Sequence, residues 1–146
     1  MKKLLYSILA ATAILGSVSC HHDDDDPIIL NPVNAGNTVT SGAWRITLYQ
    51  EDDSDQTANF AGYNFTFGTD NVVSATNGTN TYTGAWSFTD DDSSSDDFNI
   101  LFGSPDNFAE LTEDWEVLES TALKLRLKHV SGGDGSIDYV TFEKNT

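Results

Sequence analysis

The sequence predicts an all-β domain: an eight-stranded antiparallel up-and-down barrel, with a two-sheet sandwich as the second choice. Two observations carry this. From Ala43 onward, apolar and polar residues alternate with period two in segment after segment, while helical periodicity is almost absent. Turn-forming residues separate the segments, among them Asn77-Gly78 and the run Ser131 to Ser136.

The elements follow in order. Trp44, Ile46 and Leu48 share one face of the first strand, and Arg45, Thr47 and Tyr49 the other. Glu51 to Thr57 reads as an acidic, flexible loop. Tyr63, Phe65 and Phe67 alternate with Asn64 and Thr66 in the second strand, and Val72 to Ala75 is a short third. Asn77-Gly78 tolerates the positive φ values of a hairpin turn. In the fourth strand Tyr82, Gly84, Trp86 and Phe88 lie on one face. Gly84 marks a bend, or a place where a ring lies across the strand. Asp90 to Asp97 is a second acidic loop. Phe98, Ile100 and Phe102 define the fifth strand, and Asp106 to Leu111 one turn of helix after Pro105. Trp115 and Val117 define the sixth strand, the alternate leucines Leu123, Leu125 and Leu127 the seventh, and Ile137 to Phe142 the last.

One hairpin can be placed in register. Lys124, Arg126 and Lys128 interleave with the three leucines, as Asp114 and Glu116 do with Trp115 and Val117. Pairing Glu116 with Arg126 and Asp114 with Lys128 sets opposite charges together and implies a loop from Ser120 to Ala122. Leu118 and Glu119 then fall on the wrong faces. A slip by one residue would set charge against leucine.

The chain before Ala43 is of another kind. Lys2 and Lys3 precede a mostly apolar stretch of 12 residues, Leu4 to Leu15, then small residues and the single cysteine, Cys20. A membrane-spanning helix needs about 20 apolar residues, so residues 1–19 read as a signal peptide. Ordinary cleavage after Ser19 and lipidation of Cys20 are both open on this layout. Leu15, the small residues and Cys20 resemble a bacterial lipoprotein lipobox. The run His21-His22-Asp23-Asp24-Asp25-Asp26 resembles the export signal of Bacteroidetes-type surface lipoproteins. That resemblance implies two or three acyl chains, palmitate among them, on Cys20. It also implies a lipid-anchored protein at the outer membrane, exposed on the cell surface through Asp23, Asp24, Asp25 and Asp26. Residues 20–42 then form the lipidated cysteine, export signal and tether, and residues 43–146 the domain. About 20 residues of flexible linker reach about 25 Å.

Charge narrows the partners. Without Lys2 and Lys3 the chain keeps 5 basic against 23 acidic side chains, a charge of −18. Such an excess excludes nucleic acid as a partner, because binding there is driven by neutralising phosphates. It also opposes lying flat on an anionic membrane. A lone cysteine offers no internal disulfide, so the core alone holds the domain.

From Ser41 to Lys144 the sequence resembles the lipocalin-like domains of Bacteroidetes-type lipoproteins. The residues that carry it are Gly42-Ala43-Trp44, Tyr63-Asn64-Phe65-Thr66-Phe67, Thr83-Gly84-Ala85-Trp86, Asp114-Trp115 and Val140-Thr141-Phe142-Glu143-Lys144. The resemblance implies a small apolar or amphipathic ligand in the barrel mouth, with Trp44, Phe65, Tyr82, Trp86 and Trp115 as the lining. The alternative is a solid barrel that meets a protein or glycan with its outer face or loops. An eight-stranded barrel has room for either filling. Trp44, Phe65, Phe67, Trp86, Phe98, Phe102 and Trp115 are the expected inward rings, each burying about 150–250 Å².

Catalysis and cofactors find little in the residues. There is no Gly-x-Ser-x-Gly elbow, no His-Glu-x-x-His and no phosphate-cradling Gly-Lys-Ser/Thr, so the domain reads as non-enzymatic. No cofactor is expected beyond weak calcium. The oxygen-rich loop with Asp90, Asp92 and Asp96 offers ligands of the kind calcium takes, without the EF-hand spacing.

Overall fold

The computed structural model describes residues 35–90 and 95–146; Cys20, Asp23 to Asp26 and Asp92 lie outside them. Nine strands form among the described residues: β1 (Trp44–Glu51), β2 (Ser54–Asp55), β3 (Asn64–Phe67), β4 (Val72–Thr76), β5 (Thr81–Thr89), β6 (Asp97–Leu101), β7 (Glu113–Ser120), β8 (Lys124–Val130) and β9 (Ile137–Lys144). Eight of them, β1 and β3 to β9, follow one another around the sheet, and β9 pairs back onto β1, so the barrel closes. All neighbours are antiparallel, which makes the architecture an up-and-down barrel and not a sandwich. β2 is a two-residue flap on the end of β1.

Alternation dictates this arrangement. Phe65 and Phe67, Val73 and Ala75, Phe98 and Ile100, and Leu125 and Leu127 all point inward and are buried, while their neighbours face out or are part-exposed. All seven rings expected to face inward are buried.

β1 departs from the expectation. A bulge lies between Ile46 and Leu48, where Ile46 opposes Phe142 and Leu48 opposes Thr141. The extra residue, Thr47, shifts the phase by one. Tyr49 therefore turns into the core, and Leu48 is half-buried on the outer side.

The β7–β8 hairpin keeps the expected chemistry with different partners. Glu116 pairs with Lys128 and Glu119 with Arg126, across a bulge between Val117 and Glu119. The bulge carries Leu118 outward and restores the phase. The Thr121 hydroxyl sets the turn by accepting the amides of Leu123 at 3.3 Å and Lys124 at 2.9 Å. The loop is thus Thr121 to Leu123, one residue later than the charge pattern suggests.

The segment Glu51 to Thr57, expected as a flexible loop, is ordered. Gln50 pairs with Asp55 and Glu51 with Ser54 around a tight turn. Asp52 (φ 44°) and Asp53 (φ 64°) occupy its centre. Both are left-handed, as a type I′ turn requires, and aspartate tolerates that region better than most residues. A 3₁₀ turn, Thr57–Phe60, follows and buries Phe60. It covers a thin seam. β1 and β3 share one paired position, Trp44 with Phe65. Beyond it the Tyr49 amide donates to Thr57 Oγ1 at 2.9 Å, and Tyr49 O accepts the Gln56 amide at 2.8 Å.

Two one-turn helices close the ends. α1 (Ala35–Val39), within the segment read as tether, buries Val39, and Val39 O accepts the Trp44 indole N–H at 2.9 Å. α2 (Asp106–Ala109), between β6 and β7, buries Phe108 at the opposite end. The α1 end also carries the β3–β4, β5–β6 and β7–β8 connections. The far end carries the β1–β2 turn, the 3₁₀ turn, the β4–β5 turn, α2 and the β8–β9 loop. In the β4–β5 turn Gly78 takes φ 86°, and Asn77 Oδ1 accepts the amides of Thr79 and Asn80 at 3.0 and 2.8 Å.

Candidate functional site

Of the five residues expected to line a ligand cavity, Trp86 lines one of the clefts described below, and the other four stand apart from them. Trp44, Phe65 and Trp115 are fully buried, and Trp86 nearly so. Each indole N–H is held by a backbone carbonyl outside the barrel strands: Trp44 by Val39, Trp86 by Gly68 at 2.9 Å, and Trp115 by Leu111 at 3.1 Å. These rings staple connecting segments onto the barrel. Trp86 stacks on Phe98 at 5.4 Å, toward the α1 end. Tyr82 lies at the far end, half-buried against Tyr63 at 5.9 Å and Phe108 at 4.9 Å.

Phe108 is the hub of the far end. Its ring centroid lies 5.3 Å from Phe60, 5.0 Å from Tyr63, 6.0 Å from Phe65 and 5.3 Å from Phe102. Mostly edge-to-face geometry, favoured by ring quadrupoles, lets these rings interlock where a mouth would otherwise open. Gly84 has the expected role. A Cβ there would drive into Leu101 O and stand 3.0 Å from Phe102 Cδ1, so a side chain would displace the ring that crosses the strand.

Clefts lie outside this core. One of about 390 Å³ separates the β1–β2 turn from the β8–β9 loop and is lined by Asp52, Asp53, Asp134, Gly135, Ser136 and Ile137. Asp138 Oδ1 ties β9 to the β1–β2 turn by accepting the Asp52 amide at 3.0 Å. A second, of about 300 Å³, lies at the α1 end between Gly36, Asn37, Thr40, Asn71, Trp86 and Phe88.

The far end is electrostatically lopsided. None of the domain's five basic residues stands in its loops; they sit on β1, β8 and β9. Several are paired there: Arg45 with Glu143 at 3.5 Å, Lys128 with Glu116 at 3.5 Å and Arg126 with Glu119 at 3.7 Å. Partial burial, followed by Glu110, Asp138 and Asp52, raises the Glu51 carboxyl above the ordinary range. Burial, followed by the carboxylates of Glu51, Glu110, Asp138 and Glu113, raises the Tyr49 phenol well above its ordinary value. The Tyr49 hydroxyl donates to Glu110 O at 3.1 Å.

Beside this rim stands the domain's single histidine. His129 Nε2 is 3.4 Å from Glu113 Oε2, and Nδ1 is 3.1 Å from Asp114 O and 3.4 Å from Asp114 Oδ1. Glu113, Asp114 and His129 each offer a ligand atom, all within 4.8 Å of one another, a candidate site for a divalent cation. The loop with Asp90, Asp92 and Asp96 is another matter: residues 91–94 lie outside the described ones, and Asp96 O accepts the Val117 amide at 3.0 Å at the sheet margin. Sequence reasoning passed over the histidine cluster, though a signal was present. His129 continues the inward phase of Leu125 and Leu127, and Glu113 that of Trp115. Two polar groups at inward positions of neighbouring strand ends mark a place where the interior meets water.

The fold and its ends therefore define a closed, eight-stranded antiparallel barrel with an aromatic core and an acidic far rim. The chain is similar in fold to a crystallised duf4847 family protein from Bacteroides vulgatus ATCC 8482, at 18% identity and a TM-score of 0.50, over 77% of this chain and 97% of that one. No family model and no curated protein matches the sequence.

Proposed function

We propose that the protein is a lipid-anchored, non-catalytic interaction module at the outer membrane surface, whose far rim meets a positively charged partner. The observation that carries this is the packing around Phe108, which fills the far end of the barrel with side chains. The acidic rim supplies the second support. Glu51 is raised by burial first and by Glu110, Asp138 and Asp52 second; an incoming cation relieves that second part, and a field of one sign speeds encounter with such a partner. The Cys20 anchor rests on the lipobox resemblance and the acidic run behind it. α1, which follows the tether in sequence, stands at the end of the barrel opposite the acidic rim, and this supports a rim left open to a partner.

A small apolar ligand is the second reading, and the cleft at the α1 end favours it, since Trp86 and Phe88 contribute to its wall. Tryptophan emission separates the two. Titration with palmitate, a steroid and a tetrapyrrole leaves the emission unchanged if the module is solid. A saturable shift, lost in Trp86→Phe, overturns the solid-barrel reading in favour of the ligand. For the anchor, labelled palmitate is incorporated into the parent chain and not into Cys20→Ala; equal labelling of both overturns it.

A further inference from the structure

The geometry points to a transition-metal site at the far end of the barrel, in which His129 Nε2 and Glu113 bind a divalent ion of the zinc class. Three observations converge on it. First, the imidazole is set for ligation. Nδ1 lies 3.1 Å from Asp114 O, a hydrogen-bond distance, and a carbonyl only accepts. Nδ1 therefore carries the proton in the neutral ring, and the lone pair is on Nε2. A metal-ligating histidine is fixed in the same way, through its other ring nitrogen on a backbone carbonyl or carboxylate.

Second, the separation of Nε2 from Glu113 Oε2 is 3.4 Å. That is long for a charge-assisted hydrogen bond, which closes to about 2.7–2.9 Å. It matches two ligands on one ion, because tetrahedral bonds of about 2.0–2.1 Å place neighbouring ligand atoms about 3.3–3.4 Å apart. Asp114 Oδ1 stands 3.4 Å from Nδ1, so that carboxylate helps to hold the ring, on the nitrogen away from the ion.

Third, the ring is held and the site is reachable. The His129 side chain is 15% exposed and stands edge-on to the buried Trp115 at 6.0 Å, whereas Glu113 and Asp114 are 40% and 75% exposed. An ion thus finds one oriented nitrogen and one accessible carboxylate, with water to complete its shell. Imidazole selects for zinc, copper or nickel, and calcium prefers an all-oxygen set. The acidic rim raises the local concentration of any divalent cation.

The test uses the full chain with Cys20→Ser, His21→Ala and His22→Ala, so that His129 is the sole imidazole. Calorimetric titration with zinc sulfate is expected to show one equivalent bound. His129→Gln abolishes the heat, and Glu113→Gln weakens binding by about tenfold or more. Calcium in large excess does not displace the zinc. Before metal is added, ring nitrogen shifts at pH 8.5 report the proton on Nδ1, and zinc then moves the Nε2 resonance. Zinc binding that survives His129→Gln overturns the assignment, as do a parent-like affinity in Glu113→Gln, which lies on the surface and leaves the core intact, and a resting proton on Nε2.

Discussion

Glu119 faces Arg126 across the β7–β8 ladder, with Glu119 Oε2 3.7 Å from Arg126 Nη1. The bulge at Leu118 creates this pair, since continuing the Glu116–Lys128 and Val117–Leu127 register unbroken would set Leu118 against Arg126. A double-mutant cycle reads the difference. Glu119→Gln with Arg126→Gln gives a coupling of about 0.2–1 kcal/mol, and Glu116→Gln with Arg126→Gln gives about zero. Urea melts of the single and double variants supply both values.

Phe108 anchors α2 among five rings, so removing it empties the far end. Phe108→Ala is expected to cost about 3–5 kcal/mol, in line with large aromatic truncations in cores. Phe108→Leu, which keeps part of the volume, should cost less. Denaturant midpoints rank the two. An equal and small loss in both would show the far end to be loosely packed.

Gly84 is a different kind of core position, where an added atom does the damage. Gly84→Ala pushes against Leu101 O and Phe102, and overpacking of this sort costs about 1–3 kcal/mol. The expected result is a lower urea midpoint together with a changed near-ultraviolet aromatic signal.

Tyr49 and Glu51 give the fold opposite edges of pH dependence. The Tyr49 phenol is raised by burial first and neighbouring carboxylates second. The unfolded chain therefore loses this proton from about pH 10 while the folded chain keeps it, and stability falls at higher pH. The limiting slope is about 1.4 kcal/mol per pH unit. Tyr49→Phe removes that alkaline slope. Glu51 is also raised, so its ionised form weighs against the fold, and the penalty grows as pH rises from its unfolded value through its folded one. Glu51→Gln is expected to flatten the weakly acidic part of the profile. Asp55 and Asp134 work the other way. Hydrogen bonds from Thr57 and Ser136 lower them, so their contribution is lost as pH falls through their folded values. Melts from about pH 2 to about pH 11 on parent and variants check all of these signs.

The strands were legible because period-two alternation writes the inner face directly into the chain, and seven aromatic residues read as inward are inward. A one-residue bulge leaves no such mark. Trp44 to Tyr49 alternates smoothly in sequence, and only pairing with β9 reveals that Thr47 is skipped. The turn at Asp52-Asp53 was hidden by its charge, because aspartates mark both solvated loops and left-handed turns. The histidine cluster was hidden by distance: Glu113 and His129 are brought together by the β7–β8 ladder, and the register inferred from apolar alternation and charge differed from the observed one. The Phe108 hub depends on α2 folding back over the barrel, a tertiary event that a one-turn helix does not announce.

The lone Trp44–Phe65 rung has a mechanical consequence. Every other pair of barrel neighbours is held by four or more paired positions, so a transient breach costs least along β1 and β3. Amide protons flanking that slit should exchange with deuterium ahead of those between β8 and β9. The cylinder then behaves as a sheet buttoned once, with the 3₁₀ turn as the flap over its opening.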